Sequence, residues 1–214
     1  MQRVLVTIIV AVFSTQALAH HPLGGMPMET FAHGLLSGIG HPLLGFDHLF
    51  FITLVGIASI FTFYRLLAPL AYILAMLGGC LVSSLWIPVP AAEVVIALSL
   101  LVLGSMLLSG RHFDSTTLLL VFAGFGLFHG GAFGASLASQ EAGIGVQVLA
   151  GYLLGLGVVQ YGMALTSGWF CATVWKVSEA NAIQPRLAGA MVAGAGLYLI
   201  LEHLEGPLLR AIAS

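Results

Sequence analysis

The chain has 214 residues, of which 59% are hydrophobic and only 7% charged, with a mean hydropathy of +1.08. A water-soluble domain carries ~25% charged residues, so the composition excludes one and points to an all-α, polytopic membrane protein: a single helical bundle in lipid. The net charge of −2, with no basic patch, excludes nucleic acid as a partner. The two cysteines, Cys80 and Cys171, fall in different apolar segments without CxxC spacing, so neither a disulfide framework nor a redox motif is indicated.

Residues 1–19 read as a cleavable signal peptide. Arg3 supplies the positive start, Val4 to Phe13 the apolar core, and Ala17-Leu18-Ala19 the cleavage site. The apolar core is short for an uncleaved first helix, which needs ~20 residues. Cleavage would leave His20 as the new terminus, followed by His21. A free amine beside two imidazoles is either a small capture site for a divalent metal or a solvated tail. Residues 20–41 hold many Gly, Pro and Met, together with Glu29 and His33. They read as an extracytoplasmic segment with at most a short interfacial helix over 28–37, where Met26 and Met28 are packing residues or soft ligands.

Hydropathy then marks about six spans of the length that crosses ~30 Å of hydrocarbon. They cover 42–63, 66–86, 91–108, 116–136, 146–169 and 187–204, giving a transmembrane bundle over 42–204 and an extracytoplasmic tail over 205–214. Pro42 opens the first span, where its missing N–H is harmless. Pro88 and Pro90, Gly110, Gly143 and Gly145, and Pro185 fall between spans. With the signal removed, Arg65, Arg111, Lys176 and Arg186 lie in inside loops and only Arg210 lies outside, which sets the orientation. The expected location is the plasma (inner) membrane, with the mature N-terminus extracytoplasmic.

The chemistry gathers in His41-Pro42-Leu43-Leu44-Gly45-Phe46-Asp47-His48, at the mouth of an apolar run. A carboxylate near a helix centre costs about 2.5–3.5 kcal/mol on insertion scales, so such groups need a partner or a purpose. On one continuous helix His41 and His48 would share a face two turns apart, with Asp47 ~100° round. Asp47 and His48 are either a structural pair that locks helix packing or part of a site. Glu93 lies at the outer end of the third span, and His129 sits past the middle of the fourth. Glu202 and His203 close the sixth span as site residues or interfacial caps. All lie in the outer half, which favours a shared polar site opening outward, with Asp47, His48, Glu93 and His129 as its ligands. Imidazole and carboxylate donors suit nickel, cobalt or zinc better than copper(I). Gly126-x-x-x-Gly130-x-x-x-Gly134 and Gly151-x-x-x-Gly155 are faces for close helix contact, inside the bundle or between copies in a homo-oligomer. Gln160 and Tyr161 read as lining groups or interhelical hydrogen-bonding groups.

The run His41-Pro42-x-x-Gly45-x-Asp47-His48-Leu49 resembles the HPxxGxDH signature of the hydrogenase/urease accessory membrane proteins of the HupE/UreJ family. The resemblance extends over essentially the whole chain, since members begin with a signal peptide, are similar in size and have about six helices after processing. It implies a secondary permease for nickel that supplies nickel enzymes such as hydrogenase and urease. By motif position it implicates His41, Asp47 and His48, and more loosely Glu93 and His129. One position departs from the pattern: many members carry HGxxHG in the fourth span, whereas this chain has His129-Gly130-Gly131-Ala132-Phe133-Gly134, with Phe133 in place of the second histidine.

A transporter of a divalent metal, nickel or cobalt, is therefore the leading reading. No P-loop is present, so no nucleotide is expected as cofactor or fuel. The alternative is a non-transporting accessory factor that binds metal for hydrogenase or urease maturation. An intramembrane metalloenzyme would need a catalytic base and an open metal position, and no HExxH motif supplies them. The protein is not expected to be an enzyme.

Overall fold

The computed structural model describes residues 28–85, 87, 89–140 and 144–213, and every regular element among them is helical. The expected signal peptide and the His20–His21 pair lie outside the described residues. The helices are α1 (Phe31–Leu44), α2 (Phe46–Ser59), α3 (Ala68–Leu85), α4 (Ala92–Leu108), α5 (Ser115–Gln140), α6 (Val146–Trp169) and α7 (Ile183–Ala213), with a π-helical turn (Phe170–Val174) extending α6.

Four stretches are long and apolar enough to cross a membrane: Ala68–Leu85, Ser115–Ser139, Val146–Val174 and Ile183–Glu205. A fifth candidate is the bent pair α1 and α2, whose axes differ by 82° at the break. The chain is thus a multi-pass membrane protein, but the expected count of six spans does not hold as stated. The expected third span is α4, whose 17 residues rise only ~26 Å at 1.5 Å per residue. The tail expected over 205–214 continues α7 as far as Ala213.

The first span also begins elsewhere than expected. Residues 31–44, read as mostly loop, form α1, opened by Thr30, whose hydroxyl accepts the N–H of His33 at 3.2 Å. Pro42 lies in the last turn of this helix instead of opening the next. The chain breaks at Gly45, in extended conformation (φ −86°, ψ 99°), which ends α1 and starts α2. A Cβ there would meet the ring of His48 at 2.9 Å and the Asp47 carboxylate at 3.3 Å, so the break holds a residue without a side chain.

Glycine explains how the helices pair. A Cβ on Gly34 or Gly38 of α1 would run into the backbone of α6 at Val148 and Tyr152, while Gly151 and Gly155 of α6 face Phe31 and Leu35 in return. Since later residues of α1 meet later residues of α6, the two run parallel. In the same way Gly126, Gly130 and Gly134 of α5 meet Tyr72, Met76 and Cys80 in order, so α3 and α5 are parallel too. Gly104 of α4 meets Gly189 and Ala193, and Gly196 of α7 meets Ala97 and Leu101, an antiparallel pair. Backbones can approach this closely only where no side chain intervenes. These contacts correct one expectation: the two glycine faces offered for a homo-oligomer are filled by helices of the same chain.

One end of the bundle collects basic and aromatic groups. Arg186 donates from Nε to the carbonyl of Leu108 at 3.1 Å, and Phe63 N–H donates to Ser115 Oγ at 3.1 Å. These bonds tie the connections that bear Arg65 and Arg111, and the first turn of α7 with Arg186, to the same end. Phe63 (84% exposed), Tyr64, Trp169, Phe170 and Trp175 stand exposed around it, as aromatic side chains do at a membrane–water interface. Asp114, in the loop before α5, accepts from the hydroxyl of Thr117 at 2.6 Å and from its N–H at 2.9 Å. These bonds stabilise the carboxylate and hold its carboxyl below the usual range.

Candidate functional site

The break at Gly45 delivers two histidines to the interior from opposite sides. His41, in the last turn of α1, and His48, in the first turn of α2, are both buried, with ring centroids 6.4 Å apart. Each meets a different partner. Nδ1 of His41 lies 2.8 Å from the hydroxyl of Tyr152 on α6. Nδ1 of His48 lies 2.8 Å from Nδ1 of His129 on α5, and Nε2 of His129 lies 2.9 Å from Oγ of Ser99 on α4. His129 has no exposed surface. It sits near the middle of α5, beside Gly130, whose contact with Met76 draws α3 close.

Hydrogen-bond logic orders the protons in this chain. Ser99 Oγ is also 2.6 Å from the carbonyl of Ile96, which can only accept, so the serine donates there. Its oxygen then accepts from Nε2–H of His129. With both rings neutral, Nδ1 of His129 is left as an acceptor, and His48 must donate to it from Nδ1. The unprotonated nitrogen of His48 is then Nε2, which lies 3.9 Å from Oδ1 of Asp47. That carboxylate oxygen also accepts the N–H of His48 at 2.8 Å, within the first turn of α2. The Asp47 side chain, 26% exposed, is the most open member of the group.

Aromatic rings wall the cluster. Phe133 packs against both histidines, with its ring centroid 4.1 Å from that of His48 and, edge-on, 5.0 Å from that of His41. On the other side of the cluster Phe51 stacks on His129 at 4.6 Å, and Tyr72 meets it edge-on at 5.7 Å.

Of the residues expected from sequence, the fold brings together Asp47, His48 and His129, with His41 one ring beyond. Glu93 is exposed in the first turn of α4 and takes no part in these contacts. Glu202 and His203 are exposed on α7, where Nδ1 of His203 lies 2.8 Å from the carbonyl of Leu199 one turn back. Among the described residues no three His, Cys, Asp or Glu side chains close on a common metal-binding point. Ser99, Tyr152 and Tyr72 join the site without being expected; each is a lone polar group in an apolar run, with no spacing to single it out. Gln160 makes an interhelical hydrogen bond with Tyr72 at 2.9 Å, and the hydroxyl of Tyr161 donates to the carbonyl of Leu66, in the turn before α3, at 2.9 Å.

A family model described as HupE / UreJ protein matches residues 8–199, a range that holds every side chain of this cluster. The chain belongs to the HupE/UreJ family. It is 28% identical over 199 residues to Protein HupE of Rhizobium leguminosarum bv. viciae, an alignment covering 92% of this chain and 97% of that relative. No solved structure matches. Within the HupE/UreJ signature the spacing HPxxGxDH now has a physical sense. Its proline and glycine end one helix and start the next, and its histidines, one on each side of the break, face the same interior.

Proposed function

We propose that this protein is a secondary permease that carries a divalent transition metal, nickel or cobalt, across the plasma membrane to supply nickel enzymes. The observation that carries the reading is the broken helix with Asp47 and His48 at its break, facing His129 in the middle of α5. Discontinuous helices that put ion ligands near the midplane are a recurring device of secondary transporters. Ionisable groups at such depth are functional by default.

With the rings neutral, Nε2 of His48 and Oδ1 of Asp47 are two electron-pair donors 3.9 Å apart. Two ligand bonds of ~2.0–2.2 Å, as for zinc with nitrogen and oxygen donors, span that gap, so a cation seated between them would relieve the repulsion of two acceptors. His129 holds His48 in the required tautomer. With Nδ1 of His41 bonded to Tyr152, the ligand set stays small, which suits a site that must release what it binds. Family membership supports the reading. We further propose that the end bearing Arg65, Arg111 and Arg186 faces the cytoplasm and that the mature N-terminus is outside.

Radioactive nickel and cobalt uptake, normalised to folded protein, tests this. The variants Asp47→Ala and His129→Ala should each lose most uptake while inserting normally. Normal uptake per folded molecule in both would reduce the pair to a structural role. Metal binding without any uptake by the unaltered protein would instead establish the accessory-factor alternative.

A further inference from the structure

Tyr72 lies one turn before Met76 on α3 and is level with Gly126 of α5, whereas Gly130, next to His129, is level with Met76. Tyr72 therefore sits on the basic-residue side of the histidine cluster. Its hydroxyl donates to Oε1 of Gln160 on α6 at 2.9 Å, and the amide nitrogen of Gln160 points to the sulfur of Met76 at 3.7 Å. Tyr72, Met76 and Gln160 have no exposed surface. Phe51 lies 5.4 Å from Tyr72, so two aromatic rings and one hydrogen bond close that side of His129. Beyond them the core is apolar, with Phe122 and Leu118 buried on α5.

The bond spans a particular seam. Tyr72 belongs to the glycine-locked pair of α3 and α5, and Gln160 to the pair of α1 and α6. Within each pair the backbones touch at glycines and cannot slide. Across the seam Tyr72 and Gln160 meet through side chains, and α2, which carries Phe51, is held to α6 at Gly56 and Gly168, so one pair shifting against the other opens the floor beneath His129. The Tyr72–Gln160 bond joins the two pairs on that side.

We propose that Tyr72 and Gln160 form the inner gate of the cation path, closed by their hydrogen bond and opened when the α3–α5 pair moves away from the α1–α6 pair. This rests on the permease reading. The gate acts on a divalent cation leaving the histidine cluster. While joined, the two side chains keep the apolar inner half sealed.

The test uses the full chain in sealed vesicles. Either single substitution strands a buried polar partner, but the double variant Tyr72→Phe/Gln160→Leu replaces both by apolar groups of similar shape, which is close to neutral for folding. The expected result is an unchanged Kd for nickel and a nickel flux down its gradient raised on the order of fivefold, the equivalent of one net hydrogen bond lost from the closed state. Tyr72→Phe alone should move the flux in the same direction. Unaltered flux in both variants overturns the gate. A weakened Kd in the double variant also overturns it, since that would place both residues among the ligands. His129→Ala, run in parallel, separates the two ideas. Loss of binding there with unaltered flux in the double variant leaves the permease standing without this gate, whereas no nickel binding by the unaltered protein removes both.

Discussion

His129 commits both ring nitrogens to the protein, one to Ser99 and one to His48, and its ring has no exposed surface. Its position is therefore only as secure as those two bonds. Removing the serine hydroxyl leaves an N–H of the ring unpaired, and an unmet buried donor costs ~1–3 kcal/mol. Ser99→Ala should lower thermal stability in detergent by about that amount. It should also weaken nickel binding, because the ring is no longer held with Nδ1 as acceptor toward His48. Wild-type stability and affinity in Ser99→Ala would show that the bond directs nothing. The histidines and Asp47 were legible in sequence because ionisable residues are rare in a chain that is 7% charged. Ser99 and Tyr152 were not, since a single hydroxyl in an apolar helix is as often bonded to its own backbone. Ser59, which donates to Val55 at 2.6 Å, is such a case. Glu93 had the same claim from sequence as Asp47, but it lies a turn and a half before Ser99 along α4, too far up the helix to join the cluster.

At the level of helices, close packing at glycine decides which elements move together and which residues meet. A Cβ on Gly130 would collide with the carbonyl of Met76, whereas one on Gly124 would meet nothing within 4 Å. Gly130→Leu should therefore split α5 from α3, carry His129 out of register and abolish folded yield. Gly124→Ala should be tolerated or stabilising by ~0.5–1 kcal/mol, as expected for a helix position with no steric demand. Equal yields of the two in a fluorescence size-exclusion assay would contradict the paired arrangement. The glycine periodicity of α5 and α6 was readable, and it did mark close contacts. Which helix fills each face was not readable, because spacing says nothing about the partner. The same limit hid α1. Gly34, Ser37, Gly38 and His41 interrupt its apolar run with polar and small residues, yet all four are buried, three of them against α6. A hydropathy window counts what a residue would do in lipid, and these residues face protein.

Across the whole molecule the polar groups are arranged in depth. Phe63, Tyr64, Trp169, Phe170 and Trp175 share one end with Arg65, Arg111 and Arg186, and Glu93 stands exposed at the other. The histidine cluster lies between them. The break at Gly45 places it there: α1 runs parallel to α6 and carries His41 in its last turn, and the 82° bend into α2 turns His48 toward the same interior. Orientation then decides which side the Tyr72–Gln160 gate serves, and α4 offers a direct test because its two ends carry Glu93 and, just beyond the other, Arg111. Both native cysteines are free and buried, so an impermeant thiol reagent should find little background. Glu93→Cys should label in intact cells. Arg111→Cys and Arg65→Cys, on exposed positions at the opposite end, should label only after permeabilisation. The reverse pattern would turn the bundle over. The basic end would then face outward, the Tyr72–Gln160 bond would guard the outer side, and the same double variant would report on loading instead of release.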